Sequence, residues 1–344
     1  MDIQAAIAVL TNGENLSKED MSSVMRQIMS GRATDAQIGA FLIALRIKGE
    51  TIDEISSAAQ VMRDLVEPVI CKDKNLVDLV GTGGDSANLF NVSTGASFIA
   101  AAAGAKVAKH GNRSVSSSSG SADLLESLGI SIDLSPEQIA AGIDAVGLGF
   151  MFAPNHHKAM KYAVGPRKEL GLRTLFNILG PLTNPAGVKR QVIGVFAEHL
   201  CETVASSLLS LGSEHAMVIH SKDGLDEISI AAETVVCELC NGRLDRYVVS
   251  PVDFDLPLQT LEGLDVQNAC QSAEVIKRAI AGDSDPIFKK AANMLAINAG
   301  AAIYISGVAS SFTEGVAKAK KVLNNGEAEA KLRTFTEFTA AVIS

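Results

Sequence analysis

The sequence predicts an α/β architecture: a small all-helical N-terminal domain, residues 1–68, and a large α/β domain, residues 73–344, with a mostly parallel central sheet. Three observations predict it. Residues 1 to about 66 place their apolar side chains at helical spacing. Beyond Pro68 the pattern becomes short apolar run, glycine-rich loop and helix, repeated, as buried parallel strands require. The chain of 344 residues is 47% hydrophobic and 20% charged, which suffices for a substantial core.

In the N-terminal block, Ser17 precedes a stretch in which Met21, Val24, Ile28 and Met29 recur on one face, and Gly31 supplies a stop. Thr34 caps a helix carrying Ile38, Phe41, Leu42 and Leu45; Thr51 with Glu54 forms a capping-box pattern. LVDLV (76–80) then reads as a strand with GTGGD directly behind it, and residues 94–104 as a helix of small residues. AKVAK (105–109), ISIDL (130–134), MFA (151–153), RQVIGVF (190–196) and HAMVIH (215–220) read as further strands. Ser135 and Pro136 open a helix at PEQIAAGIDAVG. Residues 233–249 form an expected antiparallel hairpin at a sheet edge, turning at Asn241-Gly242, and the C-terminal third ends in helices.

The formal net charge of −9 argues against a general nucleic-acid or anionic-membrane surface, which needs a basic field. No apolar run approaches the roughly 20 residues of a membrane span. The first residues lack the basic start and apolar stretch of a secretory signal. Five cysteines at irregular spacing fit reduced thiols and a cytoplasmic location. Cys237 and Cys240 form a CxxC, but no second ligand pair follows, so they read as strand packing. Adjacent His156 and His157 cannot readily chelate one ion from a helix and read as local structure.

Four segments carry residue types suited to gripping an anion. Gly81-Thr82-Gly83-Gly84-Asp85 lets a backbone turn approach a ligand and present successive N–H groups. Asn91-Val92-Ser93-Thr94 opens a helix whose N-terminal amides favour phosphate. Lys109-His110-Gly111-Asn112-Arg113-Ser114-Val115-Ser116-Ser117 follows a strand and concentrates cations and hydroxyls on an acidic chain. Asp226-Glu227 offers paired carboxylates, the donors that a hard cation such as Mg²⁺ uses beside a polyphosphate.

The motifs GTGGD (81–85), FNVST (90–94), KHGNRSVSS (109–117), GSADLLE (120–126), GPRKELGLRTLFNILGPLTNP (165–185) and LDE (225–227) occur in an order and spacing that resemble the anthranilate phosphoribosyltransferase family over essentially the whole chain. That family belongs to a class shared with pyrimidine nucleoside phosphorylases. The resemblance implies transfer of a phosphoribosyl group from phosphoribosyl pyrophosphate to anthranilate, in tryptophan biosynthesis. It implies that Gly81, Gly83, Gly84, Asp85, Asn91 to Thr94, Lys109 to Ser117 and Ser121 hold the sugar diphosphate. Ser93, Asp226 and Glu227 are implied ligands of two Mg²⁺ per subunit. Gly81, His110, Asn112, Pro154 and Arg167 are implied neighbours of anthranilate. The family architecture further implies a hinged helical domain, joined by helices from about 165–185, through which homodimers form. Leu89 stands where the family usually has Thr, and Ser118 where it often has Lys.

No residue stands out as a general base; His110 is the nearest candidate, and a poorly basic, neutral aromatic amine needs positioning more than deprotonation. Two rivals differ in class. A nucleoside phosphorylase would carry a different sequence at KHGNR, and a non-catalytic nucleic-acid-binding relative would need a basic groove.

Overall fold

The computed structural model describes residues 1–83, 87–114 and 119–343. The helices Lys18–Met29, Asp35–Lys48 and Ile52–Leu65 form where the caps predict. Ser17 accepts from the Asp20 amide, and Thr34/Gln37 and Thr51/Glu54 close reciprocal capping boxes. Met21, Ile28, Phe41, Leu42 and Ile55 face one another in a single apolar cluster. That cluster also takes in Ala163, and Leu175 and Leu179 from the helix Leu175–Leu182, and runs on to Ile193 and Val218 of the sheet. Glu54, fully buried, is more than a cap. Its carboxylate accepts from the Leu16 amide (2.9 Å), the Thr51 amide (2.8 Å) and the Lys48 ammonium (2.9 Å).

Among the described residues, seven strands make one sheet: β1 (Leu76–Gly81), β2 (Lys106–Gly111), β3 (Leu148–Phe152), β4 (Arg190–Gly194), β5 (His215–Ser221), β6 (Thr234–Cys240) and β7 (Arg243–Val249). Their order is β3-β2-β1-β4-β5-β6-β7. The first five run parallel, while β6 and β7 add antiparallel as the expected edge hairpin. The chain goes from β1 outward to β2 and β3, then returns to the other side of β1 with β4. The carboxyl ends of β1 and β4 therefore flank the point where strand order reverses, where open α/β sheets collect ligands. Alternation splits the sheet's side chains: Val77, Leu79, Val192, Met217 and Ile219 enter one core, Ile193, Ala216 and Val218 the other. The buried helix Pro286–Ile305 covers the first face.

One predicted strand is corrected. ISIDL (130–134) is not a strand; it runs past the sheet without joining it. Ile130 and Ile132 pack into the large core and Leu134 into a smaller one, while the Ser131 amide turns to Thr339 Oγ1 (3.4 Å) of the last helix. An apolar alternation reports burial, and here a helix layer supplies it instead of a neighbouring strand. The small-residue helix also begins earlier than expected, as Val92–Ala102. Cys237 and Cys240, three apart on β6, point to opposite faces: Cys237 into the core, Cys240 towards His215 and Glu238. Glu238 accepts from His215 Nε2 (2.7 Å), Tyr247 OH (2.6 Å) and Tyr304 OH (2.9 Å), a hydrogen-bonded lock between the hairpin and the Pro286–Ile305 helix.

Removing the Glu54 carboxylate leaves two amides unpaired and the Lys48 ammonium with only the neutral acceptors Asn15 Oδ1 and the Gly49 carbonyl. Glu54→Ala is expected to destabilise the protein by about 3–5 kcal/mol, read as a lowered urea midpoint, while surface Glu19→Ala stays within about 0.5 kcal/mol.

Candidate active site

The site is assembled at the carboxyl ends of β1, β2 and β4. The loop after β5 crosses the ends of β1 and β4, and there is no room beneath it for side chains. A Cβ on Gly194 would overlap the Asp226 carbonyl oxygen, and one on Gly81 would collide with Asp226 Oδ2. Asp226 thus sits in a notch made by two glycines, and its carboxylate accepts from the Gly83 amide (2.7 Å). Thr82 ties the turn to β4, donating its amide to the Gly194 carbonyl (2.9 Å) and accepting from the Phe196 amide (3.1 Å). Gly84 and Asp85 lie outside the described residues.

The Val92–Ala102 helix points its N-terminus at the same place. Asn91 precedes it without making a side-chain cap. Its side chain instead accepts from Ser119 Oγ (2.9 Å) and Ser272 Oγ (2.7 Å) and donates to the Ser119 carbonyl (3.0 Å), tying the far side of the loop to the helix start. The Ser93 amide donates to Glu227 Oε1 (3.1 Å). Val92 is buried in the core, and among the described residues the buried Thr94 hydroxyl has no partner.

From β2, Lys109 turns inward. The residue is only 3% exposed, and its ammonium donates to the Leu79 carbonyl (2.5 Å) and to Ser93 Oγ (3.3 Å). Burial pushes the Lys109 pKa down, and the nearby Asp78 and Glu227 carboxylates pull it back up. Ser121 Oγ accepts from the Asn112 amide (3.1 Å) and donates to its carbonyl (3.1 Å), fixing the loop's exit from Gly111. The Ser114 amide donates to Asp123 (3.0 Å). Arg113 goes elsewhere: its guanidinium forks onto Glu126 (2.6 and 2.8 Å) and reaches Asp123 (3.0 Å). Val115, Ser116, Ser117 and the neighbouring Ser118 lie outside the described residues.

Of the remaining expected residues, Arg167 and Pro154 stand on separate helices and His110 on β2. Arg167, in the last turn of the helix Lys161–Leu170, lies over the Phe176 ring (5.3 Å), and burial lowers its pKa. Among the described residues no carboxylate pairs with it. Pro154 is exposed on a short helix that also carries His156, whose Nδ1 meets the Glu67 carbonyl (2.9 Å). The His110 and His157 rings stand 5.1 Å apart. Burial, with His157 and His156 nearby, holds His110 well below the usual histidine range; burial and His156 bring His157 down to about 4. His110 is therefore neutral at physiological pH.

Sequence reasoning found the four segments and missed what seats them. Gly194 carried no motif. Asp78 and Asn184 sat inside apolar or motif stretches and drew no attention. Asp78 is completely buried; its carboxylate accepts from the His110 amide (3.2 Å) and from Asn184 Nδ2 (2.7 Å). Burial pushes its pKa up to about 6, against the pull of Lys109. A lone acid in a strand otherwise made of Leu, Val and Gly was the available signal.

Two family models match: the glycosyl transferase family helical bundle domain over residues 4–66, and the glycosyl transferase family a/b domain over residues 73–329. The chain is 57% identical to the anthranilate phosphoribosyltransferase of Saccharophagus degradans over 340 residues, covering 99% of this chain and 100% of that one. The chain belongs to the anthranilate phosphoribosyltransferase family. Among solved structures it is similar to the anthranilate phosphoribosyltransferase of Thermus thermophilus (TM-score 0.91, 39% identity, 97% of this chain and 99% of that one). It is also similar to the Saccharomyces cerevisiae anthranilate phosphoribosyltransferase in complex with phosphoribosyl pyrophosphate and Mg (TM-score 0.88, 26% identity, 98% of each chain). Against the anthranilate phosphoribosyltransferase pattern, Leu89 makes an isolated bridge to Asp265 and packs on the large core.

In the unfolded chain His157 binds a proton near 6.5, in the folded protein only near 4. Between those values the unfolded chain holds more protons, so stability is fully present above 6.5 and falls as pH drops through the window. Urea midpoints at pH 7.5 and pH 5 are expected to differ, and His157→Gln to reduce the dependence by up to about 1.4 kcal/mol per pH unit.

Proposed function

We propose that the chain transfers the 5-phosphoribosyl group of phosphoribosyl pyrophosphate to the amine of anthranilate, giving N-(5′-phosphoribosyl)anthranilate and pyrophosphate. One observation carries the reading beyond family membership. The glycine turn, the helix N-terminus, the Lys109 ammonium and the Asp226-Glu227 pair are hydrogen-bonded into one cluster at the strand-order reversal. Amides and a cation there suit a phosphorylated sugar.

Asp226, Glu227 and the Ser93 hydroxyl supply hard oxygen donors, so they fit Mg²⁺ and would hold it, two ions per subunit being part of the proposal. Bound there, Mg²⁺ supplies Lewis-acid stabilisation of charge on the departing pyrophosphate. The protein's own part is positional. The Gly83 turn, the Val92–Ala102 N-terminus and Lys109 present preorganised positive potential to the diphosphate. Arg167, planar and without a carboxylate partner among the described residues, takes the carboxylate of anthranilate, which Gly81 and Asn112 also contact, with His110 and Pro154 lining its route. Neutral His110 orients the amine and does not carry its proton. The Arg113 guanidinium, engaged with Glu126 and Asp123, supports the loop, and its amide donates to Asn112 Oδ1 (2.8 Å).

A division into a helical unit (1–68, with helices from about 165–185) and an α/β unit (73–344) hinged over the substrates belongs to the same proposal, as does a homodimer. The packing of Ala163, Leu175 and Leu179 against the first helices supports the former. Ile47 (81% exposed) and Leu172 (52% exposed), beside the Arg46–Arg173 hydrogen bond, support a contact between copies through the helical unit.

Incubation with anthranilate, phosphoribosyl pyrophosphate and Mg²⁺ is expected to consume anthranilate fluorescence; nucleoside cleavage by phosphate under the same conditions, without that loss, would establish a phosphorylase instead. Asp226→Asn with Glu227→Gln is expected to abolish Mg²⁺-dependent turnover with circular dichroism unchanged, and full activity in that variant removes the metal assignment. His110→Ala is expected to keep turnover within a few-fold of wild type; a loss of several hundred-fold would make it a general base.

A further inference from the structure

The parallel pairing of β1 with β2 stops early. It comprises Leu76↔Lys106 and Val77↔Val107, whereas β1 pairs with β4 through to Gly81↔Gly194 and β2 with β3 through to Gly111↔Phe152. Beyond Val77 the two strands part, and side chains fill the opening. Asp78 accepts from the His110 amide, Lys109 donates across to the Leu79 carbonyl, and Asn184 Nδ2 donates both to the Ala108 carbonyl (2.9 Å) and to Asp78. Asn184 is itself pinned, its Oδ1 accepting from the Ala186 amide (2.9 Å). Beside it Gln191, opposite Asp78 on β4, donates to the Pro181 carbonyl (2.8 Å).

Three side chains therefore satisfy backbone groups that a continuous ladder would have paired, and they do so where β2 delivers Lys109 and His110. A buried carboxylate in such a place is costly unless fully paired, and a plain β ladder would fill the same space without it. Lys109, two residues after Val107 on β2, faces the side of the sheet that the Val92–Ala102 helix covers, and with no ladder partner at Leu79 its ammonium takes the Leu79 carbonyl as well as Ser93 Oγ.

We propose that Asp78 and Asn184 are positioning residues for phosphoribosyl transfer, holding β1 and β2 apart and setting the Lys109 ammonium and the His110–Asn112 backbone for the sugar diphosphate. The proposal rests on the transferase reading above. Neither residue touches substrate; both act through β2.

Asp78→Asn is the direct test. The carboxylate accepts at both oxygens, from His110 and from Asn184, and an amide of the same shape has one acceptor, so one bond is lost whichever way it turns. In the variant, kcat/KM for phosphoribosyl pyrophosphate is expected to fall by about ten-fold or more, and KM for anthranilate to stay within about three-fold. Amide hydrogen exchange across 106–114 is expected to accelerate while β4 and β5 remain protected. A merely structural residue would lower the melting temperature and leave both kinetic constants of the folded protein unchanged, and that outcome, with unchanged exchange at 106–114, overturns the proposal. If Asp78→Asn does not fold, Asn184→Ala is read in its place, with the same direction expected and the same null result decisive. If wild-type protein fails to turn over anthranilate, the transferase reading falls; the exchange measurement still decides whether Asp78 holds β2.

Discussion

The site depends on backbone passing where no side chain fits. The loop after β5 lies across the ends of β1 and β4, and Asp226 occupies space that a Cβ at Gly81 or Gly194 would fill. From that seat Asp226 meets the Gly83 amide, and its neighbour Glu227 meets the Ser93 amide at the start of a helix. Two adjacent carboxylates in one loop thereby join two separate strand-to-helix turns. With bulkier residues at either glycine the loop would lift, and the acids would leave the anion-binding amides.

Charge is managed by the same economy of space. The chain is acidic overall, yet its cleft gathers amides, a helix N-terminus and a nearly buried ammonium. Lys109 is shielded from water by Leu79 and Ser93, where its field is screened less than a surface lysine's. Asp78 and Glu227 both lie near it, so the cation is balanced by a buried acid on β1 and by one of the cleft's own carboxylates. Arg113, by contrast, looks like a phosphate ligand in the sequence and is neutralised by Glu126 and Asp123. The proximity of a basic residue to a binding loop does not say which way its side chain turns.

The helical block was legible because its signals are local. Caps at Ser17, Thr34 and Thr51 act within one turn, and apolar spacing reports the buried face directly. The edge hairpin was legible for the same reason, since Asn241-Gly242 specifies its own turn. ISIDL misled because alternation reports which side chains are buried and not what buries them; its neighbour turned out to be the final helix rather than a strand. Glu54 showed its capping role in sequence but not its bonds to Leu16 and Lys48, which come from distant turns.

By itself the sequence determined the fold class, the family and the four segments that carry the chemistry, because propensity, turn chemistry and motif are properties of neighbouring residues. Only the tertiary structure decided that Gly194 seats Asp226, that Asp78 and Asn184 replace a missing length of ladder, and that Arg113 turns away from the cleft. Each of those depends on groups tens to more than a hundred positions apart or on the direction of a flexible side chain, and neither leaves a pattern along the chain.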